Sequence, residues 1–277
     1  MKIADEIITS RQNPLIKRTA SLADGKGRCT ESAFIAEGEK LTLEAAAAGL
    51  PVTHVFVAES RKADVFPSLL AAFSGEKYAD TMLITVSDGV YEKISTESSP
   101  RGVSCVIKYL DFFSVMDIID KEDFFRLAGE RVLALSSVRD PGNLGSVIRS
   151  AVAFGVDRLI LSGDCADIYS PKVVRSAMGS LFRVRITMVR DMASFVSAAS
   201  AVGRRVLAAE LRPGALALTD AALTKDDIIL IGNEGHGIDP ALSALCSGSV
   251  YIPISAKTES LNASVAAAVF MFVQGQM

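Results

Sequence analysis

Three stretches hold residues whose types and spacing could do chemistry. DPGNLGSVIRSAVAFG, from Asp140 to Gly155, carries Asn143 and Arg149. GNEGHG, 232–237, offers three glycines in six residues together with Glu234 and His236. YIPISAKTESLNAS, 251–264, brings Ser260 and Asn262 to the junction of a loop and a helix. A guanidinium can grip a phosphate or an oxyanion, a carboxylate can accept a proton, and glycine-rich backbone lets main-chain groups approach a ligand closely. GNEGHG and 255–262 each follow a β-branched run, so their main-chain groups are expected to meet in one crevice beyond the ends of a parallel sheet, where a flat, adenine-sized ligand would fit.

The elements that must position these residues follow from pattern. In the first stretch Asp140 and Pro141 start a helix, Leu144, Val147, Ile148 and Ala151 recur on one face, and Gly155 stops it. Arg149 falls off that face, beside Ser146 and Ser150. Taken alone it reads equally as a solvated helix arginine, Asn143 as a group that satisfies the first turn, Glu234 as an exposed turn acid, and Ser260 and Asn262 as caps. The glycine spacing is not GxGxxG, so it gives no dinucleotide fingerprint, and His236 has no triad partner to infer. Pro253 stops strand pairing where the third loop begins.

Strands are expected at Val132–Leu135, Arg158–Leu161, Val184–Met188, Arg205–Ala209, Ile228–Ile231 and Val250–Ile254, each followed by helical material, which implies a parallel sheet covered on both faces. Before them lies a smaller α/β pattern: a strand from Phe34, an alanine-rich helix ending at Gly49, the strand THVFVA, and further alternation through Leu69–Phe73, Met82–Val86 and Val103–Ile107. The acidic stretch DFFSVMDIIDKEDFFRLAGE separates the two. The expected division is residues 1–112 as a small α/β domain, 113–130 as a linker and 131–277 as the larger domain.

Composition narrows the function classes. The chain has 277 residues, long enough to bury a core without disulfides or metal. Cys29, Cys105, Cys165 and Cys246 are isolated singletons with only two histidines to help them, which argues against a zinc site or a disulfide framework. The acidic start MKIADEIITSRQ lacks a signal-peptide core and no apolar run reaches spanning length, so a soluble cytoplasmic protein with no membrane partner is expected. The net charge of −3 disfavours a generic polyanion binder, yet residues 131–190 hold nine Lys and Arg against four Asp and Glu, and residues 1–30 hold six against three. That asymmetry is compatible with a local phosphate-facing patch and also with ordinary solvated charge.

Taken together in this order on successive strand ends, Asn143 to Gly155, GNEGHG, and IPIS followed by ESLNAS resemble the three motifs of the SpoU or TrmH family of RNA ribose methyltransferases, within the SPOUT superfamily. SPKVVRSAMGSLFRV, Ser170 to Val184, is similar to the segment between motifs, and NPLIKRTASL and FIAEGEKLTLEAAAAG are similar to the N-terminal substrate-binding domain of many members. The resemblance implies an α/β fold whose C-terminal SPOUT-type parallel sheet is closed by a deep trefoil knot, an exception to the rule of unknotted chains. It implies S-adenosyl-L-methionine as cofactor, with Ala208, Gly232, Asn233, Gly237, Ile252, Ser260 and Leu261 at its site, and no metal. It implies a homodimer. It places catalytic weight on Asn143, Arg149, Glu234, Ser260 and Asn262. Val152 stands where the family often has an acid, at a position read as structural.

The implied reaction is methyl transfer to a ribose 2′-hydroxyl of RNA, ribosomal RNA first, with transfer RNA or a non-catalytic RNA-binding protein on the same fold as alternatives. A doubly wound oxidoreductase lacks support, because no phosphate-binding glycine fingerprint follows Val132–Leu135. A guanidinium stays protonated in proteins, so Arg149 is assigned to a phosphate and to developing alkoxide charge, with Asn143, Ser260 and Asn262 orienting the reactants and Glu234 orienting Arg149 or taking the proton. RNA contact is assigned to Arg11, Lys17, Arg18, Arg175, Arg183 and Arg185. With no tryptophan and few aromatics, shape and phosphate recognition is favoured over broad stacking.

Overall fold

A computed structural model describes residues 1–117, 119–125 and 127–276. Positions 118 and 126 of the expected linker, and position 277 of the expected larger domain, lie outside the described residues. The chain divides into two compact units, the first made of Met1–Leu110 with Asp167–Phe182, the second of Asp111–Ala166 with Arg183–Met277.

The first unit runs through β1 (Lys2–Ile3), α1 (Pro14–Ser21), α2 (Gly25–Glu31), β2 (Ala33–Glu37), α3 (Glu39–Ala47), β3 (Val52–Ala58), α4 (Lys62–Ala72), β4 (Met82–Val86), α5 (Asp88–Ile94) and β5 (Val103–Lys108). Its five-stranded sheet has the order β1-β4-β3-β5-β2, with β5 antiparallel to both of its neighbours. Short polar side chains start the first helices: Asn13 accepts from Leu15 N ahead of Pro14, and Asp24 accepts from Gly27 N. One core gathers Ile16, Ile35, Phe56, Ile84, Tyr91 and Val106.

The second unit takes β6 (Phe113–Met116), α6 (Lys121–Phe125), β7 (Val132–Leu135), α7 (Pro141–Ala153) and β8 (Arg158–Ser162). After β8 the chain contributes α8 (Pro171–Ser176) to the first unit. It returns with β9 (Arg185–Val189), α9 (Met192–Ala201), β10 (Val206–Ala209), β11 (Leu216–Ala217), β12 (Ile228–Ile231), α10 (Pro240–Leu245), β13 (Gly248–Tyr251) and α11 (Ala263–Gly275). All pairings in this eight-stranded sheet, β11-β13-β10-β12-β7-β8-β9-β6, are parallel. β7 and β12 are buried at every residue, as uninterrupted apolar strands in a doubly covered sheet should be.

Two expectations about organisation need revision. Residues 113–130 do not form a free linker: β6 pairs in register with β9, and Ile119, Phe124 and Leu127 are buried in the second unit's core. Residues 167–182, expected within the larger domain, group with the first unit. There Val173 and Val174 of α8 are buried, and α8 packs on β2. Tyr169 stacks on Phe34 and Tyr109 at centroid distances of 4.7 and 4.3 Å. Arg28, 4% exposed, bonds Asp167 at 2.7 Å and the carbonyls of Leu22 and Ala23, so the ion pair compensates a charge that burial would otherwise penalise. The last expected strand, Val250–Ile254, ends at Tyr251, two residues before Pro253. Among the described residues no helix is long and apolar enough to cross a membrane.

Candidate active site

Asp140 caps α7 with its side chain, accepting from Asn143 N at 2.8 Å. Because Asp140 already satisfies that turn, the Asn143 side chain is free for other work. Its Nδ2 donates to Glu234 Oε1 at 2.8 Å, and its Oδ1 accepts from Asn262 Nδ2 at 2.9 Å. One amide therefore joins residues from all three motifs. Asn262 serves twice, since its Oδ1 also caps α11 by accepting from Ser264 N and Val265 N. Both alternative readings of these asparagines are thereby decided: Asn143 links loops, and Asn262 links and caps.

The glycine loop has its own frame. Asn233 and Gly237 exchange both backbone hydrogen bonds at 2.9 Å, and Asn233 Oδ1 accepts from Gly235 N and His236 N. A Cβ on Gly232 would sit 2.5 Å from the Gly237 carbonyl carbon, so the closure of this loop requires glycine. Asn233 Nδ2 donates to the carbonyl of Ser137, in the turn between β7 and α7. Ser137 has φ of 59°, a left-handed conformation for a residue with a side chain. Its N donates to Ser162 Oγ and its Oγ to Asp164 Oδ2, which also receives Arg139 Nη2 at 2.7 Å. Desolvation opposes the charge on Asp164, but hydrogen bonds from Ser162, Arg139 and Ser137 and the Arg139 charge outweigh it, holding the carboxyl at about 2. Ser137 and Asp164 carry no signature in the sequence beyond a polar SSVRD turn after an apolar strand.

Sheet order explains how the expected cofactor residues come together. β13, β10 and β12 are adjacent, so Ala208 near the end of β10, Gly232 just past β12 and Ile252 just past β13 lie side by side at the carboxyl ends of parallel strands. Ala208 is fully buried, while Gly232, Asn233, Ile252 and Leu261 are half-buried and Gly237 and Ser260 are exposed. This donor set is mainly main chain without a charged side chain, which suits an adenosyl group held by backbone hydrogen bonds and apolar contact. Among the described residues no group of His, Cys, Asp or Glu could hold a metal ion.

Other candidates are placed differently. The α7 face predicted as apolar is buried at Leu144, Val147, Ile148 and Ala151, and Arg149 is exposed. No hydrogen bond or ion pair holds Arg149 among the described residues, so Glu234 does not orient it within one protomer: its partner is Asn143. Ser260 caps nothing; only its carbonyl is used, accepting from Thr258 Oγ1. Of the basic residues, Arg11 is tied to Glu92 and the Gly89 carbonyl, and Arg185 lies 3.1 Å from Glu130. Arg18 and Arg175 make long ion-pair contacts of 3.9 Å, to Glu31 and Glu97, while Lys17 and Arg183 are exposed.

Residues 130–272 match the SpoU rRNA Methylase family and residues 13–105 match the MRM3-like substrate binding domain. The 23S rRNA (guanosine(2553)-2'-O)-methyltransferase RlmP of Bacillus subtilis (strain 168) is 29% identical, the alignment covering 96% of this chain and 97% of RlmP. The structure of an AdoMet-bound rRNA methyltransferase from Sinorhizobium meliloti superposes with a TM-score of 0.81 at 27% identity, covering 99% and 98% of the two chains. The SpoU methyltransferase AviRb from Streptomyces viridochromogenes, in complex with AdoMet, gives 0.78 at 25% identity over 96% and 98%. Its motif residues brought together and its sequence matched over more than half its length, this chain belongs to the SpoU rRNA methylase family.

Proposed function

We propose that this protein transfers a methyl group to a ribose 2′-hydroxyl of ribosomal RNA. The observation that carries the reading is the Asn262–Asn143–Glu234 network, which unites one residue from each motif. When bound, S-adenosyl-L-methionine supplies an activated methyl on a sulfonium sulfur. Ala208, Gly232, Asn233, Gly237, Ile252, Ser260 and Leu261 would hold it at the strand ends. The attacking ribose oxygen forms its bond to the methyl carbon as the carbon–sulfur bond breaks, and its proton must leave. Glu234 is the carboxylate of the network, and the Asn143 bond to Oε1 leaves Oε2 to take that proton. Arg149, exposed on the solvent side of α7 and without a hydrogen bond or ion pair among the described residues, is assigned to an RNA phosphate beside the target ribose and to developing negative charge.

The finer features rest on packing. The protein works as a homodimer: α11 carries an outward apolar stripe of Val265, Val269 and Phe272, with Phe272 51% exposed and in edge contact with Phe154. A second copy would cover it. We also infer a trefoil knot. α11 follows β13, which is separated from β12 by β10, yet it packs on α7 and β12, and such a path takes the chain past the glycine loop. The first unit would present the RNA, with Lys17, Arg18 and Arg175 its least restrained cations, and a cytoplasmic location follows from a ribosomal substrate. The deciding experiment maps ribose methylation in total RNA from cells with and without the protein, paired with transfer of labelled methyl from S-adenosyl-L-methionine to purified rRNA in vitro. One ribosomal position should lose its methyl group and regain it in vitro. An unchanged map with no transfer would overturn the assignment.

A further inference from the structure

We propose that Ser137 and Asp164 form a latch that positions the Gly232–Gly237 loop, and with it Glu234, against α7. Neither residue belongs to the motifs that define the site, and the inference deepens the methyltransferase reading while being testable apart from it. The geometry is a chain of contacts. Asp164, just past β8, accepts from Ser137 Oγ at 2.7 Å and from Ser162 Oγ at 2.6 Å. Ser162 Oγ in turn accepts from Ser137 N at 2.8 Å, so the serine is fixed at both its main chain and its side chain. Held that way, Ser137 keeps a φ of 59° and presents its carbonyl to Asn233 Nδ2 at 2.8 Å.

Each link has a reason to exist. A residue with a Cβ occupies the left-handed region only where its surroundings over-determine it, and here one carboxylate and one hydroxyl do so. That unusual φ aims the carbonyl out of the β7–α7 turn toward the neighbouring strand end. Asn233 uses its remaining amide atom, Oδ1, to gather the amides of Gly235 and His236, so the bond to Ser137 holds in place the side chain on which the closure of the loop depends. Glu234 is the next residue, and its carboxylate must meet Asn143 of the helix that the same turn begins. The latch thus registers the acid and the amide of the network against each other. Asp164 remains ionised across the neutral range, so the latch is a fixed positioning device and not a pH switch. Arg139 shares Asp164 but is 65% exposed on its side chain, and among the described residues its side-chain hydrogen bond goes to Asp164.

The test compares Asp164→Asn, Ser137→Gly and Arg139→Ala in the full-length protein. Ser137→Gly keeps the main-chain bonds and removes the conformational strain, so a purely structural role predicts no loss from it. Amide hydrogen exchange gives a readout that needs no substrate: in Asp164→Asn and Ser137→Gly the amides of Asn233, Gly235 and Gly237 should exchange about tenfold faster while those of β7 and β12 stay unchanged. In the same variants kcat for methyl transfer should fall about tenfold with the KM for RNA unchanged, since positioning is lost and not RNA contact. Arg139→Ala should match the parent protein in both measurements. Parental exchange in Ser137→Gly and Asp164→Asn would overturn the latch whatever the protein methylates. Losses in Arg139→Ala equal to those in Asp164→Asn would overturn it as well, by assigning the effect to the arginine. A parent protein that shows the exchange pattern but transfers no methyl group would sink the methyltransferase reading and leave the latch supported.

Discussion

The two units solve different problems with their sheets. In the first, β5 runs against β2 and β3, so loops from neighbouring strands leave by opposite ends, and polar groups pair within the unit: Arg11 with Glu92, Arg28 with Asp167, Arg61 with the Arg101 carbonyl. In the second, all strands run one way, so loops that are far apart in sequence leave β7, β10, β12 and β13 along one edge. That edge is where Asn143, Glu234 and Asn262 meet, joined by neutral amides and one carboxylate. A parallel sheet concentrates chemistry at its carboxyl edge, while a mixed sheet spreads its loops over two, which suits a broad recognition surface. The comparison yields a division of labour that substitutions can break.

The largest effect should come from Gly232→Ala. Its new Cβ would meet Gly237 backbone at 2.5 Å, and backbone cannot move aside as a flexible side chain can. Displacing the loop should lower methyl transfer at least about 100-fold and weaken S-adenosyl-L-methionine binding measured by calorimetry, with rRNA affinity by filter binding unchanged. A matching loss of RNA affinity would show that the two units are not divided in this way. Next is Asn143→Ala, which removes both network bonds and leaves the Asp140 cap intact. Activity should fall about 30-fold at unchanged thermal stability, because the site loses orientation and the helix loses nothing. A drop in melting temperature as large as that from a core truncation would return Asn143 to a structural role. Arg149→Lys should cost about tenfold in kcat/KM, the difference between a bidentate fork and a point charge. Full activity there would exclude a bidentate phosphate grip.

How much of this was legible in the sequence depended on whether the deciding force was local. Val132–Leu135 and Ile228–Ile231 appear as strands at the predicted residues, since a short unbroken apolar run between turn signals has few alternatives. The buried face of α7 was equally readable, because its residues repeat at helical spacing and Asp140 with Pro141 fixes the start. β6 was not: FSVM lies among acids, is largely exposed, and is a strand only because β9 offers it an edge. Nor was the allegiance of 167–182, which rests on Arg28 and Phe34, more than a hundred residues away in sequence. In the site, the resemblance to the SpoU or TrmH motifs marked Asn143, Glu234 and Asn262 as candidates, but residue type could not separate linking from capping. That distinction turned on Asp140 taking the cap, a fact of geometry. Ser137 and Asp164 stayed invisible because their importance lies in a backbone angle and a shared acceptor.

The smallest predicted effect belongs to the first unit and concerns pH. His54 on β3 lies beside Arg18, Lys108 and Glu31; burial lowers its pKa, and the charges of Arg18 and Lys108 lower it further. Its ring Nδ1 shares a 3.0 Å hydrogen bond with Thr53 Oγ1, so the neutral form is accommodated. The folded state therefore binds a proton less readily than the unfolded chain, whose histidine titrates near ~6.5. Stability must then fall as pH drops below that value and through the lower folded one, and it is unaffected above it. His54→Gln should flatten this dependence, leaving the urea midpoint nearly equal at pH 5 and pH 7.5 where the parent protein loses stability at the acid side. Tyrosine fluorescence reports the right unit, since Tyr78, Tyr91, Tyr109 and Tyr169 all belong to it and only Tyr251 lies in the other. An identical pH response in parent and variant would mean that neither burial nor the charges of Arg18 and Lys108 hold His54 below its usual value.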